Sequence, residues 1–88
     1  MATNGRKIVV ERKMHETPFF IDSRTNKYSG NREIQINETY QKGDMTEPTY
    51  GRKNVGINVI DIPAVVAALV ELYEEETGND LISELSSI

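Results

Sequence analysis

The chain contains no cysteine, no tryptophan and a single histidine, and no lysine or arginine follows residue 53. The lack of cysteine excludes disulfide bonds and fits a reducing compartment. No apolar run approaches the roughly 20 residues that a membrane-spanning helix needs. The first residues, MATNGRK, lack the apolar core of a signal peptide. These absences predict a soluble intracellular protein with no membrane partner.

Residues suited to catalysis are equally sparse. His15, the lone histidine, has no sequence neighbour with which to bind a metal or activate a nucleophile, and we expect it in an exposed loop. A Walker-type phosphate loop is missing, and the C-terminal carboxylates have no histidine near them. We therefore predict that the protein is not an enzyme and uses no cofactor and no metal.

The charges are segregated along the chain, although the net charge of −4 by itself argues against nucleic-acid binding. Residues 1–53 hold all ten Lys and Arg together with seven Asp and Glu, whereas residues 54–88 hold seven Asp and Glu and no cation. Such asymmetry is typical of nucleic-acid binders with an acidic tail. A solvated acidic helix face is the alternative interpretation.

Four segments have the composition of short β-strands: residues 7–13, 18–24, 32–41 and a last one that starts near residue 52. In the third, Ile34 and Ile36 alternate with Gln35 and Asn37. The fourth alternates valine and isoleucine with Asn54, Gly56 and Asn58, and the same parity puts Arg52 on the polar side. Residues 42–50 form a polar turn. The pattern predicts an antiparallel meander with one apolar and one polar face.

A helix follows at residues 63–76, started by Pro63 and ended by Gly78. The predicted fold is α+β: a curved four-stranded antiparallel sheet followed by one C-terminal helix, in a homodimer, since so small a core is often completed by a second copy. We divide the chain into a flexible N-terminus (1–6), a single-strand-binding β4α domain (7–78) and an acidic amphipathic tail or short second helix (79–88). The predicted dimer interface comprises Ala64, Ala67, Ala68 and Leu72.

The middle of the chain resembles the single-stranded-DNA-binding family of the transcriptional coactivator positive cofactor four and its small bacterial and phage relatives. The matching residues are Ile34, Ile36, Glu38 and Tyr40 in a strand, Asp44 and Glu47 in an acidic turn, Gly51, Arg52 and Lys53 at a basic corner, and Tyr28 and Gly30 upstream. The resemblance covers roughly residues 7–73. The lack of a Ser-rich N-terminal region favours a bacterial or phage origin, and so a cytoplasmic, nucleoid-associated location.

The resemblance implies a homodimer that binds single strands without sequence preference in DNA replication, recombination, repair or transcription. Arg52 and Lys53 would contact phosphates, and Tyr28 and Tyr40 would contact bases. Tyr50 stands where the family has proline, and as an aromatic residue it can stack as well. The full predicted set of DNA-binding residues is Lys7, Lys13, Arg24, Lys27, Tyr28, Asn31, Arg32, Asn37, Tyr40, Tyr50, Arg52 and Lys53.

Two points stay open from the residues themselves. Tyr40 has the strand parity of Ile34 and Ile36, so it reaches DNA only through a bulge or from beyond the strand end; otherwise it is a core residue. Tyr28 is either a half-buried loop anchor or a stacking platform. As an alternative function, the acidic helix and tail predict a protein-interaction adaptor or transcription cofactor that docks on replication, recombination or transcription proteins.

Overall fold

The computed structural model describes residues 4–41, 43 and 47–88. The elements are β1 (Asn4–Val10), β2 (Phe19–Thr25), β3 (Arg32–Tyr40), β4 (Thr49–Asn58), a 3₁₀ turn (Val59–Asp61), α1 (Ile62–Thr77) and α2 (Leu81–Leu85). One open antiparallel sheet has the order β1-β2-β3-β4, which confirms the predicted sheet followed by a helix. The first three residues of the expected flexible terminus and Asp44 of the acidic turn lie outside the described residues.

The strand register separates the two faces of the sheet as the alternation predicts. Asp22 lies opposite Gln35, and Asn37 lies between Phe20 and Asn54; this side is called the polar face. The other side is called the apolar face, and it carries Ile8, Val10, Phe19, Ile21, Ile34, Ile36, Val55 and Ile57.

Strand β4 starts earlier than predicted, at Thr49, and it contains a bulge. Asn37 pairs with Asn54 but Thr39 pairs with Tyr50, so residues 51–53 together oppose one residue of β3. Glycine suits this bulge, because a Cβ on Gly51 would lie 3.0 Å from the carbonyl oxygen of Glu38, which is tighter than most Cβ contacts. The basic corner is therefore pressed against β3, and Tyr50 belongs to the strand and not to the turn.

The core of the single chain lies on the polar face. Phe20, 5% exposed, is the most deeply buried large apolar side chain among the described residues, and Asp22, Asn37 and Thr39 are buried beside it. The residues of the apolar face are half-buried or exposed, and Val55 is 52% exposed. The sequence pattern predicted the reverse, because it assumed that a helix covers the apolar face.

Helix α1 does not supply that cover within one chain, because its main contacts are with the 3₁₀ turn and with α2. Its large apolar residues stay open to solvent, as shown by Leu69, which is 56% exposed. Gly78 ends the helix in the left-handed conformation, with φ 72°. The tail then forms a second helix, capped by the Asp80 carboxylate on the Ile82 N–H at 3.0 Å. No helix within residues 4–41 and 47–88 is long and apolar enough to cross a membrane.

Candidate nucleic-acid interface

The centre of the polar face is a three-residue cluster of Asp22, Arg24 and Tyr50. The Arg24 guanidinium donates two hydrogen bonds to the Asp22 carboxylate, from Nε at 3.0 Å and from Nη2 at 2.8 Å. The Tyr50 hydroxyl donates to the Oδ2 atom of the same carboxylate at 3.2 Å. Since Asp22 is on β2 and Tyr50 on β4, the tyrosine side chain spans the intervening strand β3.

Phe20 packs against the Tyr50 ring of this cluster. The Phe20 and Tyr50 rings meet edge to face, with centroids 5.1 Å apart and planes at 72°. The ammonium group of Lys7 lies 4.0 Å from the Phe20 ring centroid, so a third strand contributes a cation at this point. Tyr50 nevertheless remains 43% exposed, which leaves part of its ring accessible.

A second aromatic residue and a second cation lie at the turn between β2 and β3. The Asn26 side chain accepts the backbone N–H groups of Tyr28 at 2.8 Å and Ser29 at 3.0 Å, which fixes the turn. Tyr28 is 90% exposed and lies with its centroid 5.6 Å from the Lys27 ammonium. This exposure rules out the half-buried anchor in the single chain. Both residues line a depression of about 330 Å³ that they share with Arg24, Gln35 and Glu33, whose carboxylate accepts a hydrogen bond from the Asn26 amide at 3.0 Å.

The structure thus brings five of the predicted residues together along one side of the sheet. They run from the β2–β3 turn to the centre of the polar face and comprise Lys7, Arg24, Lys27, Tyr28 and Tyr50. Arg52 lies midway between Tyr50 and Asn54, which both belong to the polar face, and strand alternation assigns it to the same side. We call this series the polar track.

Other predicted residues lie elsewhere. Lys53 lines a depression on the apolar face with Ile36 and Val55. Arg32 donates to the hydroxyl groups of Ser23 and Thr25 at the edge of that same face. Lys13 and Asn31 are exposed in the two connections that flank β2. Lys53, Arg32 and Lys13 are not assembled with the polar track in one chain, whereas Asn31 lies in the same turn as Lys27 and Tyr28.

The structure places Tyr40 away from the polar track and buries Asn37. Tyr40 is the last residue of β3 and is exposed, so it is not a core residue of the single chain. Alternation places it on the side opposite Thr39 and Tyr50, away from the polar track. Asn37 is 3% exposed, and its amide donates to the backbone carbonyl of Phe20 at 2.9 Å. The Asn37 side chain therefore forms its hydrogen bond within the sheet and is not accessible to a ligand.

An acidic boundary limits the polar track next to Phe20. Lys7 and Phe20 share a depression there with Glu11, Glu16 and Glu47. A phosphate group would be repelled by these carboxylates. The β2–β3 turn, where the single carboxylate of Glu33 faces Lys27 and Arg24, is therefore the less acidic end of the polar track, and the other end suits an uncharged group.

The cluster at the centre affects the ionisation of its members. The Asp22 hydrogen bond raises the pKa of Arg24 above its usual value. Burial, followed by the hydrogen bond to Asp22, raises the pKa of Tyr50. Arg24 is thus a firmly charged partner of Asp22, and Tyr50 is held as the neutral phenol that donates to the same carboxylate.

Alternation along the predicted strand 18–24 puts Phe20 and Asp22 on one face, but neither residue is among the predicted DNA-binding residues. One signal was available: Asp22 and Arg24 are two residues apart in a strand, so their side chains share a face and can pair. The place of Tyr50 had no such signal, because it depends on the close approach of Gly51 to β3, which only the structure shows.

Within the described residues, no group of three or more His, Asp and Glu side chains is placed to hold a metal ion. No family model, no curated protein and no solved structure matches this chain.

Proposed function

We propose that this protein binds single-stranded DNA, without sequence preference, as a homodimer. The observation that carries the proposal is the polar track, on which two exposed tyrosines, Tyr28 in the β2–β3 turn and Tyr50 on the polar face, lie near cations on one side of the sheet. A single strand offers phosphates and unstacked bases, and aromatic side chains beside cations bind both without reading sequence. The resemblance noted in the sequence agrees with this function.

The homodimer is supported by the excess surface of the single chain. One chain exposes 7192 Å², whereas a compact monomer of this mass exposes about 5,200 Å². The radius of gyration is 15.1 Å, against about 12 Å for a compact chain of this length. The excess of about 2,000 Å² is larger than the roughly 800 Å² per partner of a standard interface, and it lies within the roughly 1,000–2,500 Å² per partner that obligate homodimers bury. The apolar face and α1 are the surfaces that the second copy would cover.

The side of α1 used in the dimer follows from its helical spacing. At 100° per residue, the large apolar residues form one broad arc, and Ala64, Ala67 and Ala68 fall on the opposite side. Leu72 belongs to the large apolar arc, whose members are Val65, Val66, Leu69, Val70, Leu72 and Tyr73. We therefore propose that the dimer contact is made by this arc, which includes Leu72 of the predicted interface, and not by the three alanines.

The direct test is fluorescence polarisation with labelled oligo-dT and with a duplex of equal length. We expect tighter binding to oligo-dT and an affinity that falls with salt, because phosphate contacts release counterions. Lys27→Gln should weaken binding and reduce the slope of log affinity against log salt by about 0.7, the value for one phosphate contact on a single strand. Lys13→Gln, in a loop away from the polar track, is the matched control. Equal, weak binding to both DNA forms refutes the proposal.

A second candidate function is favoured by the tail. Ile82, Leu85 and Ile88 are exposed beside Asp80 and Glu84, so the tail presents apolar and acidic groups together. Such a segment suits a partner with an apolar groove and a basic rim. A pull-down with the full chain and with a chain that lacks residues 79–88 tests this function. Loss of partners on truncation supports an adaptor, whereas packing of the tail within the dimer removes its basis.

A further inference from the structure

We propose that Asp22 is a positioning residue, which holds the Tyr50 ring as a preformed platform for one base and keeps Arg24 away from the phosphates. The inference rests on the proposed single-strand binding and deepens it. It assigns different chemistry to the two ends of the polar track, with a base at Tyr50 and phosphates towards the β2–β3 turn.

Three contacts fix Tyr50 before any ligand arrives. Its hydroxyl donates to Asp22 at 3.2 Å, its ring packs edge to face on the buried Phe20, and the next residue, Gly51, is pressed against β3. A side chain that is already ordered loses little rotamer freedom on binding, which improves affinity by about 2- to 10-fold over a free one. Tyr28, at 90% exposed, has no comparable restraint from a buried ring in the described chain.

The electrostatics of the cluster favour a base over a phosphate at this point. The Arg24 charge is neutralised by Asp22 through two hydrogen bonds, so the surroundings of Tyr50 have no net charge from this pair. The adjacent depression holds Glu11, Glu16 and Glu47 and repels phosphate. An uncharged, flat nucleobase fits an exposed ring under these conditions better than the backbone of the strand does.

The first test separates the role of the Tyr50 ring from that of its hydroxyl group, which contacts Asp22. Tyr50→Leu removes the aromatic face and should weaken oligo-dT binding by about 5- to 150-fold. Tyr50→Phe keeps the ring and removes only the hydroxyl, and it should weaken binding by about 2- to 10-fold with no change in the salt slope. Thermal unfolding of each variant checks that it is folded at the assay temperature. Wild-type affinity in Tyr50→Phe would overturn the positioning role of Asp22.

The second test concerns Arg24. Asp22→Asn removes the carboxylate charge and releases Arg24, so the salt slope should become steeper by about 0.7. The double variant Asp22→Asn/Arg24→Gln replaces the neutral ion pair with a neutral amide pair and should have the wild-type slope. An unchanged slope in Asp22→Asn would show that Arg24 is not withheld from phosphates and would overturn that part of the inference.

The third test is independent of affinity. Oligo-dT substituted with 5-iododeoxyuridine is irradiated with the wild-type protein, and the cross-linked peptide is identified by mass spectrometry. We expect cross-links at Tyr50, and none at Tyr73 on α1. Cross-links at Tyr28 or Tyr40 without any at Tyr50 overturn the platform while single-strand binding stands. Absence of oligo-dT binding by the wild type refutes the proposed function itself, and the platform with it.

Discussion

Replacing Asn37 with alanine should destabilise the protein without weakening its intrinsic affinity for a single strand. The Asn37 side chain is 3% exposed and donates to the Phe20 carbonyl at 2.9 Å. Asn37→Ala removes this buried donor and leaves a gap next to the core. Loss of such an interaction costs about 1–3 kcal/mol, a large share of the roughly 4–13 kcal/mol expected for a domain of this size.

The cost can be converted into a melting temperature. For a domain of 60–100 residues, each kcal/mol lowers Tm by about 4–8 °C, so Asn37→Ala should melt about 4–24 °C below the wild type. Circular dichroism at a fixed protein concentration measures this shift, because the stability of a homodimer depends on concentration.

Asn54→Ala is the matched control. Asn54 is the residue of β4 that pairs with Asn37, and it is exposed, so its replacement should change stability by about 0.5 kcal/mol or less. Oligo-dT affinity, measured well below the melting temperature, should be the same for wild type and Asn37→Ala. Weaker binding with an unchanged Tm would mean that Asn37 contacts DNA, contrary to its burial.

Three further predictions follow from the same geometry. Arg52→Ala should weaken oligo-dT binding more than Lys53→Ala does, as measured by polarisation, because Lys53 lies on the apolar face. Equal losses of affinity would mean that both cations contact the DNA. Leu69→Glu should convert dimer to monomer in sedimentation velocity, whereas Ala67→Glu, about 200° away around α1, should not; the opposite result would make the alanines the interface. The raised pKa of Tyr50 gives stability that is complete below its ordinary pKa near 10 and is lost as pH rises through the folded value. Denaturant unfolding between neutral pH and about pH 11 should therefore show a steeper loss of stability for wild type than for Tyr50→Phe. Equal losses would contradict the raised pKa of Tyr50.

The sheet and its two faces could be predicted from alternation alone. Ile34 and Ile36 against Gln35 and Asn37 define opposite sides of β3, and a period of two leaves no other arrangement in a strand. Pro63 and Gly78 likewise mark the first turn and the end of α1. These signals are local, so they do not depend on how the rest of the chain packs.

The burial of the two faces could not be predicted in the same way. Alternation shows that a face is apolar, but not what covers it, and α1 leaves the apolar face open within one chain. The position of Tyr50 was missed for a related reason. The polar composition of residues 42–50 predicts a turn, and only the bulge opposite Glu38 shows that β4 has already begun at Thr49.

The site was predicted in part because residue type and position along the strand are both visible, but side-chain partners are not. Lys27 and Tyr28 form a neighbouring pair in one turn, which the sequence indicates directly. Lys53 and Arg52 are also neighbours, yet a strand sends consecutive side chains to opposite faces, so a basic pair in a strand is divided. The Asp22–Tyr50 contact joins residues 28 positions apart across β3, and no local pattern predicts it.

The most direct measurement of the central claim is NMR mapping of oligo-dT onto the two sheet faces. Tyrosine ring signals and isoleucine methyl signals of the labelled protein are followed during titration with oligo-dT. Single-strand binding on the polar track predicts large shifts for the rings of Tyr28 and Tyr50 and small ones for the methyl groups of Ile21 and Ile36 on the apolar face. Large shifts at those methyl groups with unmoved tyrosine rings would contradict it.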